Sequence, residues 1–339
     1  MTDSALPLGK LPAKLLDRLL ARAPVDDPRV LLGPGVGLDC AVIEAGEELL
    51  VLKSDPITFV TREFGRYLVL INGNDVATTG ARARWLLLTL LLPEKRTTPA
   101  MAEDLMEDVF AACRAEEVSL VGGHTEITHG LDRPIAVGTL IGTVGRESLI
   151  TPRGARPGDQ VLLTKSVPIE GTAILAWEKP ATLADRLTSQ ELERARQFLF
   201  DPGISVAPEA RLAVAAGQVT AMHDPTEGGL KAALWELAEA SGRSLHVDLS
   251  RVPVEPVASS ICQTLGIDPL ETIASGALLI TVEAADSEKV RTRLEGAGIA
   301  CTWIGEVGEG PADVTDGRGG EKRPVAWPER DGVARAFET

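Results

Sequence analysis

Cysteine is scarce in this sequence, and its four copies lie far apart. The 339 residues contain only Cys40, Cys113, Cys262 and Cys301, and no CxxC pair occurs. Structural zinc sites take their ligands from closely spaced cysteines and histidines, so this spacing argues against a zinc cluster. We expect reduced, mostly buried thiols and therefore a cytoplasmic protein.

Basic residues are also fewer than acidic ones. Lys and Arg total 34 against 49 Asp and Glu, which gives a formal net charge of -15. A nucleic-acid interface needs a basic face, so the balance argues against nucleic acid as a partner. The longest apolar runs, such as residues 85–93, are far shorter than the roughly 20 residues that span a bilayer. The N-terminus lacks the order of a signal peptide, and we expect no membrane partner.

Common catalytic motifs are absent as well. The chain has no Walker A pattern, no Gly-x-Ser-x-Gly, no HExxH and no kinase signature set. A P-loop nucleotide site is therefore excluded. An anionic small ligand remains compatible with the negative charge if metal ions or glycine-loop amides screen it.

Length and composition predict a folded chain of two or three domains. The sequence is 44% hydrophobic and 24% charged, so it can bury a substantial core. A Pro/Gly/Arg-rich stretch at 151–158 predicts a boundary between an N-terminal domain at 1–152 and a C-terminal domain at 153–307. Residues 308–339 are polar and glycine-rich, which predicts a loop or a frayed tail.

Hydrophobic periodicity predicts alternating strands and helices in both halves, so the expected fold class is α/β (α+β). The helix that starts at residue 188 has the Thr-x-x-Glu order of a capping box. Strands are predicted at 48–53, 85–92, 118–121, 135–144, 161–165, 278–282 and 301–307. Helices are predicted at 13–23, 100–116, 188–200, 206–216, 230–240 and 287–297, and another opens at 169–172.

The stretch Asn72-Gly73-Asn74-Asp75 is the first candidate site. It follows an apolar run and precedes small residues, which let a ligand or another backbone come close. Its amide and carboxylate oxygens are hard ligands suited to Mg²⁺. An Asx-type turn or a helix start is the alternative explanation.

Similar groups of acids and glycines recur along the chain. They are Asp39 after the glycine-rich segment 33–37, Asp55 at the end of a predicted strand, Gly122-Gly123 before His124, and Asp224 with Thr226, Gly228 and Gly229 before a predicted helix. Each has an ordinary alternative: a turn, a structural histidine or a plain helix start. Together, without basic clusters, they suggest that metal ions neutralise a bound polyphosphate.

Five motifs, in this order, resemble the aminoimidazole-ribonucleotide-synthetase (AIR synthase) superfamily. They are GPGVGLDCAVI (33–43), KSDPITF (53–59), NGNDVATTGARARW (72–85), VGGHTEIT (121–128) and HDPTEGGL (223–230). The resemblance spans about residues 9–307 and is strongest to hydrogenase-maturation-factor-like members. It implies a two-domain fold whose N-terminal sheet forms a barrel with that of a second subunit, in a homodimer. It also implies ATP and Mg²⁺ in a cleft between the domains.

Carried over position by position, the resemblance implies roles for single residues. The implied metal ligands are Asp39, Asp55, Asp75 and Asp224. The implied nucleotide contacts are Lys53, Asn72, Asn74, Gly122, Gly123, His124, Thr125, Thr226, Gly228 and Gly229. The general chemistry of the superfamily is transfer of phosphate from ATP to an acceptor.

Two departures from the family bear on the activity. Selenophosphate synthetases pair an N-terminal lysine with a reactive cysteine or selenocysteine, whereas Lys10 has no cysteine nearby. The hydrogenase-maturation enzyme carries a carbamoyl group on a C-terminal cysteine, and residues 308–339 contain none. We expect ATP-dependent phosphorylation or dehydration that activates a small-molecule acceptor. The alternatives are a non-catalytic nucleotide-binding accessory protein and a purely structural member.

Overall fold

The computed structural model describes residues 6, 9–58, 60, 62–317 and 321–338. Most of the predicted N-terminus before Gly9, Phe59 of the KSDPITF motif, and residues 318–320 and 339 of the predicted tail lie outside this description. The chain divides into two units. The N-terminal unit comprises residues 26–33 and 39–149, and the C-terminal unit comprises residues 1–25, 34–38 and 150–339.

A six-stranded sheet carries the N-terminal unit. Its strands are β1 (Val30–Leu32), β2 (Ala41–Ala45), β3 (Glu48–Ile57), β4 (Arg82–Pro93), β5 (Ser119–Thr128) and β6 (Ile135–Gly145). They lie in the order β1-β2-β3-β6-β4-β5, and only the pair β4–β5 is parallel. On β4, Leu86 and Leu88 are buried whereas Trp85 and Leu87 are each 39% exposed. The predicted strand at 85–92 is confirmed, and in this chain it is buried on one face only, because alternate side chains of β4 leave the core.

Two helices, α2 (Phe64–Thr78) and α3 (Pro99–Ala115), pack against each other, and α2 also packs on β3 and β6. Glycines on β6 allow the close approach: a Cβ atom at Gly142 would lie 2.5 Å from the Val76 side chain. Nearly every residue of α2 is buried. Residues 72–75 lie inside this helix, so they form neither an Asx-type turn nor a helix start.

Two predicted strand ends are wrong. β3 does not stop before Asp55; it pairs with β6 as far as Ile57. Because β2 pairs with β3 only up to Leu52, Pro56 can follow without costing a ladder bond to β2. β5 likewise continues through residues 122–125, so the predicted glycine loop is extended strand.

The C-terminal unit contains a seven-stranded sheet surrounded by helices. Its strands are β7 (Gln160–Thr164), β8 (Val219–His223), β9 (Ser244–Val247), β10 (Leu279–Val282), β11 (Cys301–Gly308), β12 (Asp313–Asp316) and β13 (Arg323–Pro324). Their order in the sheet is β13-β12-β9-β11-β7-β10-β8. The helices are α1 (Ala13–Leu20), α4 (Ile169–Glu178), α5 (Pro180–Leu183), α6 (Ser189–Gln197), α7 (Ala207–Ala216), α8 (Gly229–Ser241), α9 (Pro256–Leu265), α10 (Ser287–Glu295) and α11 (Gly332–Glu338). The predicted α/β class is confirmed.

The core of this unit lies between the sheet and α8. Leu163 of β7, Leu279 of β10 and Ile304 of β11 pack with Leu234 and Leu237 of α8, and all five are fully buried. The predicted capping box of α6 is present, with Thr188 and Glu191 exchanging side-chain and backbone hydrogen bonds. Within the described residues, no helix combines the length and the apolar character that crossing a membrane requires.

The predicted loop or frayed tail after residue 308 is structured in the residues described. β12 pairs in parallel with β9, and β13 pairs with β12. Val314 is fully buried, and Val325 is 5% exposed. The prediction failed because a few apolar residues in a polar segment were enough to join an existing core.

Candidate functional site

A lysine held between two carboxylates is the main feature of the N-terminal unit. The Nζ atom of Lys53 lies 3.1 Å from Oδ2 of Asp55 and 3.0 Å from Oδ2 of Asp75. Lys53 and Asp55 are two residues apart on β3 and so point to the same face, while Asp75 comes from α2. The side chains of Lys53 and Asp75 are only 12% and 2% exposed.

The charges of this cluster do not balance. Burial lowers the pKa of Lys53, but the carboxylates of Asp75, Asp39 and Asp55 outweigh burial and hold the pKa well above its ordinary value. The ammonium group is therefore charged at neutral pH. Three carboxylates around one ammonium group leave an excess of two negative charges, which suits a divalent cation.

Asp39 and Asp75 fit a magnesium ion in type and spacing. Their nearest carboxylate oxygens lie within 4.8 Å of each other. Mg²⁺ binds oxygen at about 2.0–2.1 Å, so ligands on opposite sides of the ion are about 4.2 Å apart. A small shift of either side chain would let both oxygens bind one ion.

Asn72 stabilises the backbone beside this cluster through two side-chain hydrogen bonds. Its side-chain oxygen accepts a hydrogen bond of 2.9 Å from the backbone N–H of Asp55, and its side-chain nitrogen donates to the Leu68 carbonyl at 2.9 Å. The residue is fully buried. Asn72 thus ties α2 to β3 and fixes the backbone beside Lys53. Asn74, also on α2, is 1% exposed.

The segment Gly122-Gly123-His124-Thr125 lies elsewhere in the same sheet. It is on β5, which is separated from β3 by β6 and β4. Three strand spacings of about 4.8 Å put it roughly 14 Å from Lys53. Its residues are exposed, and His124 contacts Glu126 at 3.2 Å. Within one chain, the structure does not bring this segment to the lysine cluster.

In the C-terminal unit, Asp224 follows the end of β8 and is 1% exposed. The chain then turns at Gly228 and Gly229, whose φ angles of +85° and +64° favour glycine. The N–H of Gly228 donates to Asp331, and the N–H of Gly229 donates to the carbonyl of Thr226. Both amides are thus already used, and the expected cradle of glycine amides for a phosphate is not present in this arrangement.

A polar network lies beside this turn. His223 Nε2 is 2.9 Å from Glu236 Oε2, and both side chains are nearly buried. Lys10 reaches the same place: its Nζ atom is 3.4 Å from Glu236 Oε1 and donates to Thr226 Oγ1 at 3.1 Å. Lys10 is thus the cation of this network that contacts Thr226.

Glu170, at the start of α4, is a second buried acid of this unit. Its pKa is raised to about 8 chiefly by burial, with smaller contributions from Asp331, Glu227 and Asp224. The carboxyl group is therefore largely protonated at neutral pH.

Three of these groups are not candidate site residues in the sequence. Glu170 lies in a predicted helix start, Glu236 in a predicted helix and Asp331 in the predicted polar tail. No local pattern singles out any of them. They can be recognised only in the folded structure, because each interacts with a group more than ten residues away in the sequence.

Family models match both parts of the chain. The N-terminal domain of AIR synthase related proteins matches residues 37–144, and the C-terminal domain matches residues 156–317. These matches cover more than half of the sequence. They include every predicted metal ligand.

Curated relatives and solved structures agree with this match. A putative hydrogenase expression/formation protein of Methanocaldococcus jannaschii is 28% identical over 75% of both chains. The carbamoyl dehydratase HypE of Cupriavidus necator is 30% identical over 78% of this chain and 71% of its own. A crystal structure of the hydrogenase maturation protein HypE in complex with ATP is 25% identical, with a TM-score of 0.71 and coverage of 94% and 96%. The chain therefore belongs to the family of AIR synthase related proteins, with hydrogenase maturation proteins among its relatives.

Proposed function

We propose that this protein binds ATP together with Mg²⁺ and uses it to activate a small-molecule acceptor, by phosphorylation or by dehydration. The observation that carries the proposal is the cluster of Lys53 with Asp39, Asp55 and Asp75. It combines a charged ammonium group with oxygen ligands, which suits a metal-bound polyphosphate. The carbamoyl dehydratase relative and the ATP-bound neighbour support the same chemistry.

The proposal gives each group a role. Asp39, Asp55, Asp75 and Asp224 would hold the metal. Bound Mg²⁺ would neutralise phosphate charge and stabilise the negative charge that develops on the leaving ADP. The Lys53 ammonium group would bind a phosphate oxygen. Further nucleotide contacts are proposed for Asn72, Asn74, Gly122, Gly123, His124, Thr125, Thr226, Gly228 and Gly229, with Asn72 acting through Asp55 and the last two glycines by shaping the turn.

We infer that the acceptor is a free molecule and not a cysteine of this chain. All four cysteines are buried, and none of them forms a disulfide. Burial raises the pKa of the Cys262 and Cys301 thiols to about 12, and it also raises the pKa of Cys113. A buried, protonated thiol is a poor nucleophile, so none of these three suits transfer of a group. Cysteines that form no disulfide also support a cytoplasmic location.

We further propose that the protein works as a homodimer. β5 is an edge strand of its sheet, and Val121 and Ile127 on it are 55% and 62% exposed. Exposed apolar residues on an edge strand favour pairing with another chain. Since residues 122–125 lie far from Lys53 in the same chain, they would contribute to a nucleotide site only across subunits.

The test compares Asp75→Asn with Asp104→Asn. Asp75 is buried in the cluster, whereas Asp104 is exposed on α3 in the same unit. Calorimetry with ATP and Mg²⁺ should show binding by the wild type and by Asp104→Asn, and none by Asp75→Asn. Equal affinity in all three would refute the metal site. ADP release then separates turnover from binding: ATP binding without ADP release in the presence of candidate acceptors would favour the nucleotide-binding accessory protein.

A further inference from the structure

The C-terminal segment, residues 325–338, is firmly attached to its unit. The carbonyl of Val325 accepts a hydrogen bond of 2.8 Å from the indole N–H of Trp235 on α8. In α11, Val333, Ala334 and Ala336 are buried. Gly332 lies so close to Thr272 that a Cβ atom would be 2.1 Å from its hydroxyl. The segment therefore occupies one defined position on α8 and on residues 270–272.

Asp331 in this segment contacts the turn that follows Asp224. Its Oδ2 atom accepts a hydrogen bond of 2.8 Å from the N–H of Gly228, and its Oδ1 atom accepts one of 2.7 Å from Val333. Residues 228 and 331 are 103 positions apart. One carboxylate thus joins the first turn of α11 to the turn that precedes α8.

The turn is enclosed on two sides. A Cβ atom at Gly229 would lie 2.7 Å from the Leu270 carbonyl, and one at Gly228 would lie 3.3 Å from the Pro328 ring. The C-terminal segment therefore forms one wall of the turn, and residues 270–272 form the other. Inside this enclosure both glycine amides donate hydrogen bonds, Gly228 to Asp331 and Gly229 to the carbonyl of Thr226.

We propose that Asp331 is a positioning residue: by holding Gly228, it fixes the turn that sets Asp224 and Thr226 for the nucleotide. The proposal rests on the function proposed above. It assigns the C-terminal segment to the ligand site of its own unit. Because the Gly228 amide already donates to the Asp331 carboxylate, the turn would serve the ligand through its side chains and not through this amide.

The test uses Asp331→Ala, with Glu338→Ala as the matched control, because each variant removes one carboxylate from the same segment. Glu338 is exposed at the opposite end of α11 from Asp331, and its Oε2 atom accepts a hydrogen bond of 2.6 Å from Arg330. Hydrogen exchange of residues 224–230, measured without nucleotide, should be faster in Asp331→Ala than in wild type and unchanged in Glu338→Ala. Affinity for ATP with Mg²⁺ should fall about tenfold in Asp331→Ala, and Glu338→Ala should bind as wild type does.

A second variant, Asp331→Asn, keeps an oxygen that can accept from Gly228, and it should retain slow exchange and near-normal affinity. If Asp331→Ala does not fold, this variant decides: slow exchange with weak ATP binding would overturn the proposal. Unchanged exchange in a folded Asp331→Ala would also overturn it. Faster exchange with unchanged affinity would overturn only the link to the nucleotide, whereas no ATP binding by wild type would refute the proposed function itself.

Discussion

At the scale of single residues, Lys53 is the counter-ion of the carboxylates in the N-terminal unit. Lys53 contacts Asp55 and Asp75, and Asp39 adds a third carboxylate to its surroundings. Breaking a buried ion pair by removing one partner typically costs about 3–5 kcal/mol, because the other charge is left uncompensated. Removing Lys53 or Asp75 alone should therefore destabilise the fold.

Glu170 gives a prediction about pH and stability. Its pKa is about 8 in the folded protein and near 4.5 in the unfolded chain. Protonated Glu170 favours the folded state, and this contribution to the free energy of unfolding is fully present below pH 4.5. The contribution is lost as the pH rises from 4.5 through about 8, by up to roughly 1.4 kcal/mol per pH unit. Glu170→Gln mimics the protonated acid, so it should be more stable than wild type at pH 8 and similar to it near pH 4.5. Urea unfolding across this range measures the difference.

Glu239→Gln is the control for this prediction, because Glu239 is exposed on α8 in the same unit. Its unfolding free energy should follow that of wild type at every pH. Parallel curves for Glu170→Gln and wild type would show that Glu170 is ionised in the fold.

The residues of the site were only partly predictable. The resemblance singled out Asp39, Asp55 and Asp75 by their motifs, and the structure groups these three around Lys53. The role of Asn72 as the acceptor for the Asp55 N–H could not be predicted, since it depends on how α2 crosses β3. Asp331 was unpredictable for the same reason: its partner is distant in sequence.

At the scale of elements, helices with local sequence signals are predicted well, and elements without such signals are not. α6 has a capping box and α3 has an N-cap at Thr98, and both were predicted within a few residues. α2 is buried on nearly all sides, so it lacks the polar stripe that marks a surface helix. The predicted end of β5 at residue 121 is too early, because two adjacent glycines usually indicate a turn.

Gly123 gives the prediction at this scale. It has a φ angle of +142°, and a Cβ atom there would lie 1.8 Å from the Leu88 carbonyl on β4. Gly123→Ala must therefore displace β5 from β4, at a cost of about 3 kcal/mol or more. Gly130, with a φ angle of +77°, has open space around it, so Gly130→Ala should cost only about 1 kcal/mol. Thermal unfolding compares the two, and equal losses would mean that β4 and β5 are not tightly paired at Gly123.

At the scale of the whole molecule, the exposed apolar residues of β4 and β5 predict self-association. Val121→Glu combined with Ile127→Glu would place charges in the proposed subunit interface, where burial is costly. Light scattering at micromolar concentration should give a dimer mass for wild type and a monomer mass for this variant. The control is Val214→Glu, which changes an exposed apolar residue of α7 in the other unit. A monomer mass for wild type would contradict the prediction.

The attachment of residues 325–338 has a consequence for the newly made chain. These residues leave the ribosome after every other described part of their unit, although Val325 belongs to its core. Until then, Gly228 has no Asp331 to donate to, and Trp235 has no Val325 carbonyl. The N-terminal unit, whose residues are made earlier, can fold during translation. The C-terminal unit completes its ligand turn only after synthesis has passed residue 331, so a ribosome that stalls before that point would hold a chain with one finished unit and one unfinished turn.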